Sequence, residues 1–598
     1  MSSAVERLKA LSGQPATGAA YVPHAGRRRQ GVRPSKTIQR IAAIPRRILD
    51  TDHPQAVELL TEAFRQPRGE QTLRTLQALA LVELHDFGGL FAPLAVGSGK
   101  TLLTFLGPTV IKSKRPLLLV PAALREKTIY EAAQVRRHWQ VPKIVRAENL
   151  DKHPGDGEIA LMSYEWLSRE NGAVMLAKLR PDFIIADECQ KIKSEKAAVT
   201  RRVKRYVQEF HPHCAFLSGT IAARSILDFA HLLEWSLPLG NPTPTHYLER
   251  QEWSLALDEK VSEAVRLAPG ALEELMSTAE RDQLNGVRHA FRRRLVETPG
   301  VVATSETEIG VSLRIELIDP GTTPDIDKAF AQLRKLWELP CMLPIPDPPA
   351  FWRHCIELSF GFYYRWKVQP PAEWLAARRA WCSFVNDTLQ HNRRQLDSEL
   401  QVARACERGE YDQGIWRAWV YIRKSFTPET EAVWVSTHVV DLCAKWLSEN
   451  DTGIVWVSHV EFGRALAQKG YPYYGAGGKD ERSGRSIVHA EEGKPMIASV
   501  ASNSEGRNLQ AWNTNLITHV VPQGKQVEQL LGRTHRPGQE ADEVTVQWLI
   551  GCMEAEKGFK QARADARWLE ESLGSKQKLC YADLVDERAT DRVGPRWK

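Results

Sequence analysis

Short apolar runs, each followed by a helix-length amphipathic stretch, occur in two blocks along the 598 residues. The first block holds Leu90–Val96, Pro116–Val120, Ile159–Met162, Phe183–Ala186 and Cys214–Leu217. The second holds Gly453–Val457, Met496–Val500, Leu516–Val521 and Val544–Ile550. Runs this short and this continuously apolar predict strands buried on both faces, and their alternation with helices predicts parallel sheets. Between the blocks, from about residue 240 to 430, charged and aromatic residues mix at helical spacing, broken by a Pro-rich stretch at Pro340–Pro349. The expected fold class is therefore α/β, two parallel-sheet lobes with a largely helical insert. The expected division is a flexible basic arm over 1–50, a first lobe over 51–300, the insert over 301–430, a second lobe over 431–550 and a helical extension over 551–598.

Composition narrows the class without naming a chemistry. A chain that is 43% hydrophobic and 26% charged is ordinary globular protein. No apolar run approaches the roughly 18 residues of a membrane span, and no apolar segment follows the first charges as a signal peptide would require. Nine cysteines without a Cys-x-x-Cys pair argue against a zinc ribbon or a disulfide framework, and so for an intracellular, reducing compartment. The seventeen histidines show no metal-ligand spacing. The net charge of +7 is unevenly spread: residues 1–47 carry ten Lys/Arg against the single Glu6, so the rest of the chain is close to neutral. Arg27-Arg28-Arg29 fit a localisation signal, a phosphate contact or a solubilising tail equally well. The tryptophans crowding the insert, among them Trp337, Trp366, Trp374, Trp381 and Trp416, read as core at helical spacing.

Three segments carry candidate chemistry. Gly97-Ser98-Gly99-Lys100-Thr101 follows the first apolar run and opens a helical stretch. Such a turn closes backbone N–H groups around phosphates, with Lys100 reaching the β/γ-phosphates and the Thr101 hydroxyl on Mg²⁺. The usual pattern has glycine where this chain has Leu94. Asp187-Glu188 ends another apolar run, so both carboxylates sit at a strand's C-terminal edge, Asp187 toward Mg²⁺ and Glu188 toward the attacking water. The third segment, Gln529 to Gln539, contains Arg533 and Arg536, three apart and so on one face, able to meet a γ-phosphate from a second domain.

Gly532-Arg533-Thr534-His535-Arg536-Pro537-Gly538-Gln539 resembles the sixth motif of Swi/Snf-type ATPases of helicase superfamily two, and the remaining motifs follow in order. Leu73–Gln77 resembles the adenine-reading Q-motif, Leu118–Leu124 motif Ia, Met162–Glu165 the segment ahead of motif II, and Ser218-Gly219-Thr220 motif III. His289–Leu295 resembles the arginine-rich stretch that opens the family's second half. In the second block Ile454–Ser458 resembles motif IV, Glu481-Arg482 part of the next segment, and Ser499–Leu509 motif V. The chain departs from the pattern at Cys189, Ile221 and Asn503-Ser504. In compactness it is more similar to versions carried by bacteriophages and bacteria, which implies the cytoplasm of a bacterium or of a phage-infected host.

The resemblance implies two RecA-like lobes that bind ATP and Mg²⁺ in the cleft between them and move along double-stranded DNA, forked or branched forms included. It implies catalytic roles for Lys100, Glu188, Arg533 and Arg536, and metal ligation by Thr101 and Asp187. Nucleotide contacts are implied for Gln77, Gly97, Ser98, Gly99, Lys100, Thr101, Gln190 and Gln529. Pro121, Ser218, Gly219, Thr220, Arg482, Gly506 and Asn508 would contact DNA or couple it to ATP state. Two other readings stay open: a strand-separating helicase of replication, recombination or repair, and a nucleic-acid-binding scaffold whose ATPase has decayed.

Overall fold

A computed structural model describes residues 30–47, 54–94, 98–169, 171–218, 225–258, 261–262, 264–283, 285–303, 311–391, 396–504, 507–518, 522–536, 538–573, 576–586 and 588. The first lobe is built on six strands: β1 (Gly89–Pro93), β2 (Pro116–Val120), β3 (Lys143–Arg146), β4 (Glu158–Ser163), β5 (Phe183–Asp187) and β6 (His213–Ser218). They lie in the order β1-β6-β5-β2-β4-β3, every pair parallel. Helices cover both faces, and the period-2 alternation of a strand sends its side chains to two separate cores. Leu117 and Leu119 of β2 join one core, Leu118 and Val120 the other. The order places β6 between β1 and β5, so the end of β1, Ser218 at the end of β6 and Asp187 at the end of β5 lie side by side. In open α/β sheets ligands bind at such C-terminal edges.

The second lobe has seven parallel strands in the order β11-β12-β10-β13-β14-β7-β15. They are β7 (Ser312–Ile318), β10 (Gly453–Val457), β11 (Tyr473–Tyr474), β12 (Met496–Ser499), β13 (Thr514–Ile517), β14 (Glu543–Leu549) and β15 (Asp583–Asp586). The fold is thus α/β with two RecA-like lobes, and each of the nine apolar runs overlaps a strand. Two strands of this sheet fall where helix was expected. β7 lies within the span read as insert and β15 within the span read as a helical extension. In β7 alternating Leu313, Ile315 and Leu317 are buried beside β14, a half-polar pattern that a search for continuous apolar runs passes over.

Between the lobes β8 (Phe362–Trp366) and β9 (Thr430–Trp434) pair antiparallel. Beyond them the helices Ala372–Gln390, Glu399–Glu407 and Gln413–Ile422 enclose a small core of Trp381, Val385, Val402, Cys406 and Trp416, as expected of aromatics at helical spacing. This unit is anchored to the first lobe by Asp397, which accepts from Arg202 at 2.8 Å with both side chains fully buried.

Residues 30–47 are not a flexible arm. Ser35 caps the helix Lys36–Ala43, and Ile38, Ile41 and Ile44 are buried in the first lobe's core. Val32 pairs through its backbone with Ala268 and Ala271. Arg40 donates to the Asn241 and Thr243 carbonyls, and Arg47 to Glu83. Three isoleucines at helical spacing outweigh the charge around them, which had dominated the sequence reading. Arg27-Arg28-Arg29 lie outside the described residues.

The helix Met553–Leu573 joins the lobes. Its Ala555, Phe559, Ala562 and Ala566 belong to the second lobe's core, while Trp568 and Leu569 belong to the first lobe's.

Candidate functional site

At the end of β1 the chain turns into the helix Lys100–Val110, with Gly99 as its N-cap. Gly99 has φ +75°, and a Cβ there would lie 2.2 Å from Gln77 Nε2. Both the left-handed backbone and the approach of Gln77 therefore require glycine. The Gln77 amide is used at both ends: Oε1 accepts from Arg74 N at 2.9 Å and Nε2 donates to Gly99 O at 3.1 Å. Ser98 and Thr101 flank the turn, and Gly97 lies outside the described residues. Lys100 Nζ donates to Leu94 O at 2.9 Å. Leu94, the departure from glycine, packs its side chain into the core beneath the loop and donates its N–H to Ser218 O, so the exchange is absorbed locally.

Beside this turn a cavity of about 540 Å³ is lined by Arg74, Gln77, Gly99, Thr101, Glu131 and Trp139, among others. Its volume is in the range of small-ligand sites.

Two strands away, Asp187 ends β5 and its Oδ1 accepts from Glu188 N at 3.0 Å. Glu188 is left-handed, with φ +54° and ψ +47°. A non-glycine residue there costs about 1–3 kcal/mol and persists only where its surroundings hold it. Two contacts do so. Gln190 Nε2 donates to Glu188 Oε2, and Ser218 Oγ donates to Gln190 Oε1. This chain of hydrogen bonds runs from the carboxylate to the end of β6, with Gln190 and Ser218 buried. Gln190, expected on the nucleotide, thus spends its amide on Glu188 and Ser218. Cys189 is fully buried, as alanine would be.

Burial and the neighbouring Glu188 charge push the Asp187 carboxyl up to about 7. Burial works against the Glu188 carboxylate too, but Lys100, the Gln190 amide and Lys525 hold it below its ordinary range. Burial pulls the Lys100 ammonium down, the two carboxylates opposing this and Arg533 and Arg536 adding to it. The two acids are therefore driven apart, one toward the neutral form and one toward the charged.

The second lobe brings Arg533 and Arg536 to the opposite wall. Arg533 donates through Nε to Gln529 O at 2.8 Å and through Nη1 to Arg507 O at 3.0 Å. Arg536 donates to the Asn508 side chain. Gln529 enters through its carbonyl, and its side chain is buried. The sequence reading missed two residues of the helix Arg125–Val135. Lys127 and Glu131 pair at 3.3 Å, the charges of Arg533 and Arg536 act on Lys127, and that of Glu131 acts on Arg536. Their i,i+4 spacing after motif Ia was the only available signal.

Of the remaining expected residues, Pro121 follows β2 and caps the turn Ala122–Leu124, whose Ala122 N donates to Glu165 at 2.8 Å. Arg482 donates to Ala467 O within its own lobe. Asn508 holds Arg536. Asn503 bonds the carbonyls of Tyr474 and Ser499 at 2.8 and 3.1 Å, so this departure stitches its segment to its own lobe. Gly219, Thr220, Ile221 and Gly506 lie outside the described residues.

No protein-family model matches the chain. Over 172 residues, 27% of its length, it is 28% identical to a protein of Mycoplasma pneumoniae named an uncharacterized ATP-dependent helicase. The match covers 16% of that protein's length, so the likeness is to one segment of a longer relative.

Proposed function

We propose that the chain is an ATP-dependent double-stranded DNA translocase of the Swi/Snf type in helicase superfamily two. One observation carries the reading: Lys100, Asp187 and Glu188 from one lobe and Arg533 and Arg536 from the other face a common cleft, close enough for their charges to act on one another. In this reading the base of ATP enters the cavity beside Gln77, and the phosphates lie at the N-terminus of the helix Lys100–Val110. Lys100 then exchanges the neutral Leu94 carbonyl for a charged acceptor, which strengthens its hydrogen bond.

Thr101 and Asp187 offer the oxygen donors that suit Mg²⁺. A cation beside Asp187 relieves both the burial and the repulsion that raise its carboxyl. Bound Mg²⁺ would supply charge neutralisation on the phosphates. Glu188, kept ionised, orients the attacking water and takes its proton. Arg533 and Arg536 offset charge developing on the transferred phosphate, an effect typically of about 10³–10⁵ in rate. Closure on ATP and reopening after hydrolysis move the lobes relative to each other along the duplex.

The test is ATP turnover with duplex, single-stranded and forked DNA, with RNA as control, beside a strand-displacement assay. Duplex-stimulated turnover without strand separation is expected. Strong unwinding of a fork favours the strand-separating reading, which the name of the Mycoplasma relative also suggests. Turnover that no nucleic acid stimulates overturns both.

A further inference from the structure

Where the helix Met553–Leu573 crosses to the first lobe it passes the helix Gly286–Val296. Between them lies a second cavity, of about 320 Å³, lined by Arg292, Arg563, Arg567, Glu570, Glu571 and Cys580. Its three guanidiniums outnumber its two carboxylates, of which Glu571 is engaged outside the lining and Glu570 within it. Glu571 accepts from Arg288 at 3.3 Å and from Asn285, and Glu570 takes the Cys580 thiol while its charge also acts on Arg292. Among the described residues, none of the three lining guanidiniums has a carboxylate within 4.0 Å.

Arg563 and Arg567 are four apart on one helix face, where like charges repel. Arg292 approaches from another helix and is half-buried, as is Arg563, while Arg567 opens to solvent. Three guanidiniums converging from two elements, with spare donors and a mouth to solvent, suit a tetrahedral oxyanion, which Arg binds through its planar fork.

We propose that this cavity binds a phosphate group, outside the ATP cleft and across the junction of the two lobes. The phosphate would tie Arg292 of the first lobe to Arg563 and Arg567 of the joining helix. Two sources share this chemistry, the backbone phosphodiester of duplex DNA and free pyrophosphate. The first rests on the proposed translocase reading; the second does not.

The experiment uses the full chain, its Arg563→Ala/Arg567→Ala variant and the matching Lys variant. Fluorescent-duplex affinity is measured from 50 to 200 mM salt, and pyrophosphate binding by calorimetry with the nucleotide cleft filled by a non-hydrolysable ATP analogue. With a backbone phosphate, loss of that one phosphate contact makes the slope of log affinity against log salt shallower by about 0.9, or about 3.5-fold less affinity lost across that range. The Lys variant keeps most of the slope, and ATP turnover without DNA stays unchanged. With free pyrophosphate as the source, duplex binding is the same in all three proteins, while calorimetric binding is present in the native chain and lost in the Ala variant. If neither duplex slope nor pyrophosphate binding differs between native and Ala proteins, the proposal is overturned. A native chain that binds no duplex sinks the translocase reading and leaves the pyrophosphate comparison to decide the cavity.

Discussion

Gln190→Met isolates what holds the Glu188 carboxylate, the proposed base, in place. Methionine fills the buried site but removes both amide groups, so Glu188 loses its donor and the Ser218 hydroxyl loses its acceptor. Ser218 is fully buried, and loss of this hydrogen bond costs about 0.5–1.5 kcal/mol of stability. For the chemistry, loss of an outer partner that orients a catalytic group typically costs about 10–100-fold in activity, or about 1.4–2.7 kcal/mol in the barrier. Because the amide is committed to Glu188 and Ser218, the variant should lower kcat by that factor and leave KM for ATP within about twofold. Steady-state ATP turnover at saturating duplex DNA measures both. Ser218→Ala removes only the far end and should cost less, and the double variant should lose less than the two singles combined, as members of one chain do. If KM instead rises tenfold with kcat unchanged, Gln190 touches the nucleotide and the positioning role is wrong.

Glu188→Gln should keep ATP binding, read by a fluorescent nucleotide analogue, and abolish steady-state turnover; retained hydrolysis would remove Glu188 as the base. Ile38→Ala and Ile41→Ala should each lower unfolding stability by about 2–5 kcal/mol in denaturant titrations, because both side chains are buried in the first lobe's core. Two neutral substitutions would return residues 30–47 to the status of an arm. Asp258 supplies a pH test: burial, with Asp228 adding its charge, pushes its carboxyl up to about 7, against hydrogen bonds from Ser225 and Ile226. The group favours the folded state below its unfolded value near 4, and that contribution is lost as pH rises through 7, by at most about 4 kcal/mol. Asp258→Asn should therefore flatten the fall in thermal midpoint between pH 5 and 8, and parallel curves for the two proteins would refute the assignment.

The strands most legible in the sequence were those buried on both faces, because such strands must be continuously apolar. β2 and β5 are read directly as Pro116–Val120 and Phe183–Ala186, each residue buried. β3 and β15 carry half-polar, partly exposed residues, and β15 pairs with β7, a strand distant in the chain. The same division holds at the candidate site. Lys100, Asp187, Glu188, Arg533 and Arg536 stood out as candidates because the phosphate chemistry proposed for them restricts the residue types at those spacings. Lys127 and Glu131 did not, because an ordinary i,i+4 ion pair acquires meaning only when a second lobe brings arginines up to it. Sequence could suggest that Gln190 matters, but only the burial of Ser218 beside it shows which groups its amide serves.

The bonding of the two arginines bears on how the cleft would work. Arg533 donates to two carbonyls of its own lobe, and charged hydrogen bonds of this kind contribute about 1.5–3 kcal/mol each. A side chain that had to swing toward the phosphate would first give these up. The helix before it is fixed as firmly. A Cβ on Gly524 would lie 2.7 Å from Ala562 O, so the helix Gly524–Leu531 lies directly against the helix that joins the lobes. Glu528 accepts from Lys578 N at 2.7 Å and pairs with its ammonium at 3.2 Å, both side chains buried. Breaking such a pair from one side typically costs about 3–5 kcal/mol. The arginines therefore move with their lobe, and the least costly way to bring them onto a phosphate is for the lobe to approach as a body. Under the proposed function hydrolysis then requires lobe closure. Anything that changes the seating of Trp568 and Leu569 in the first lobe should alter turnover without touching a residue that meets ATP.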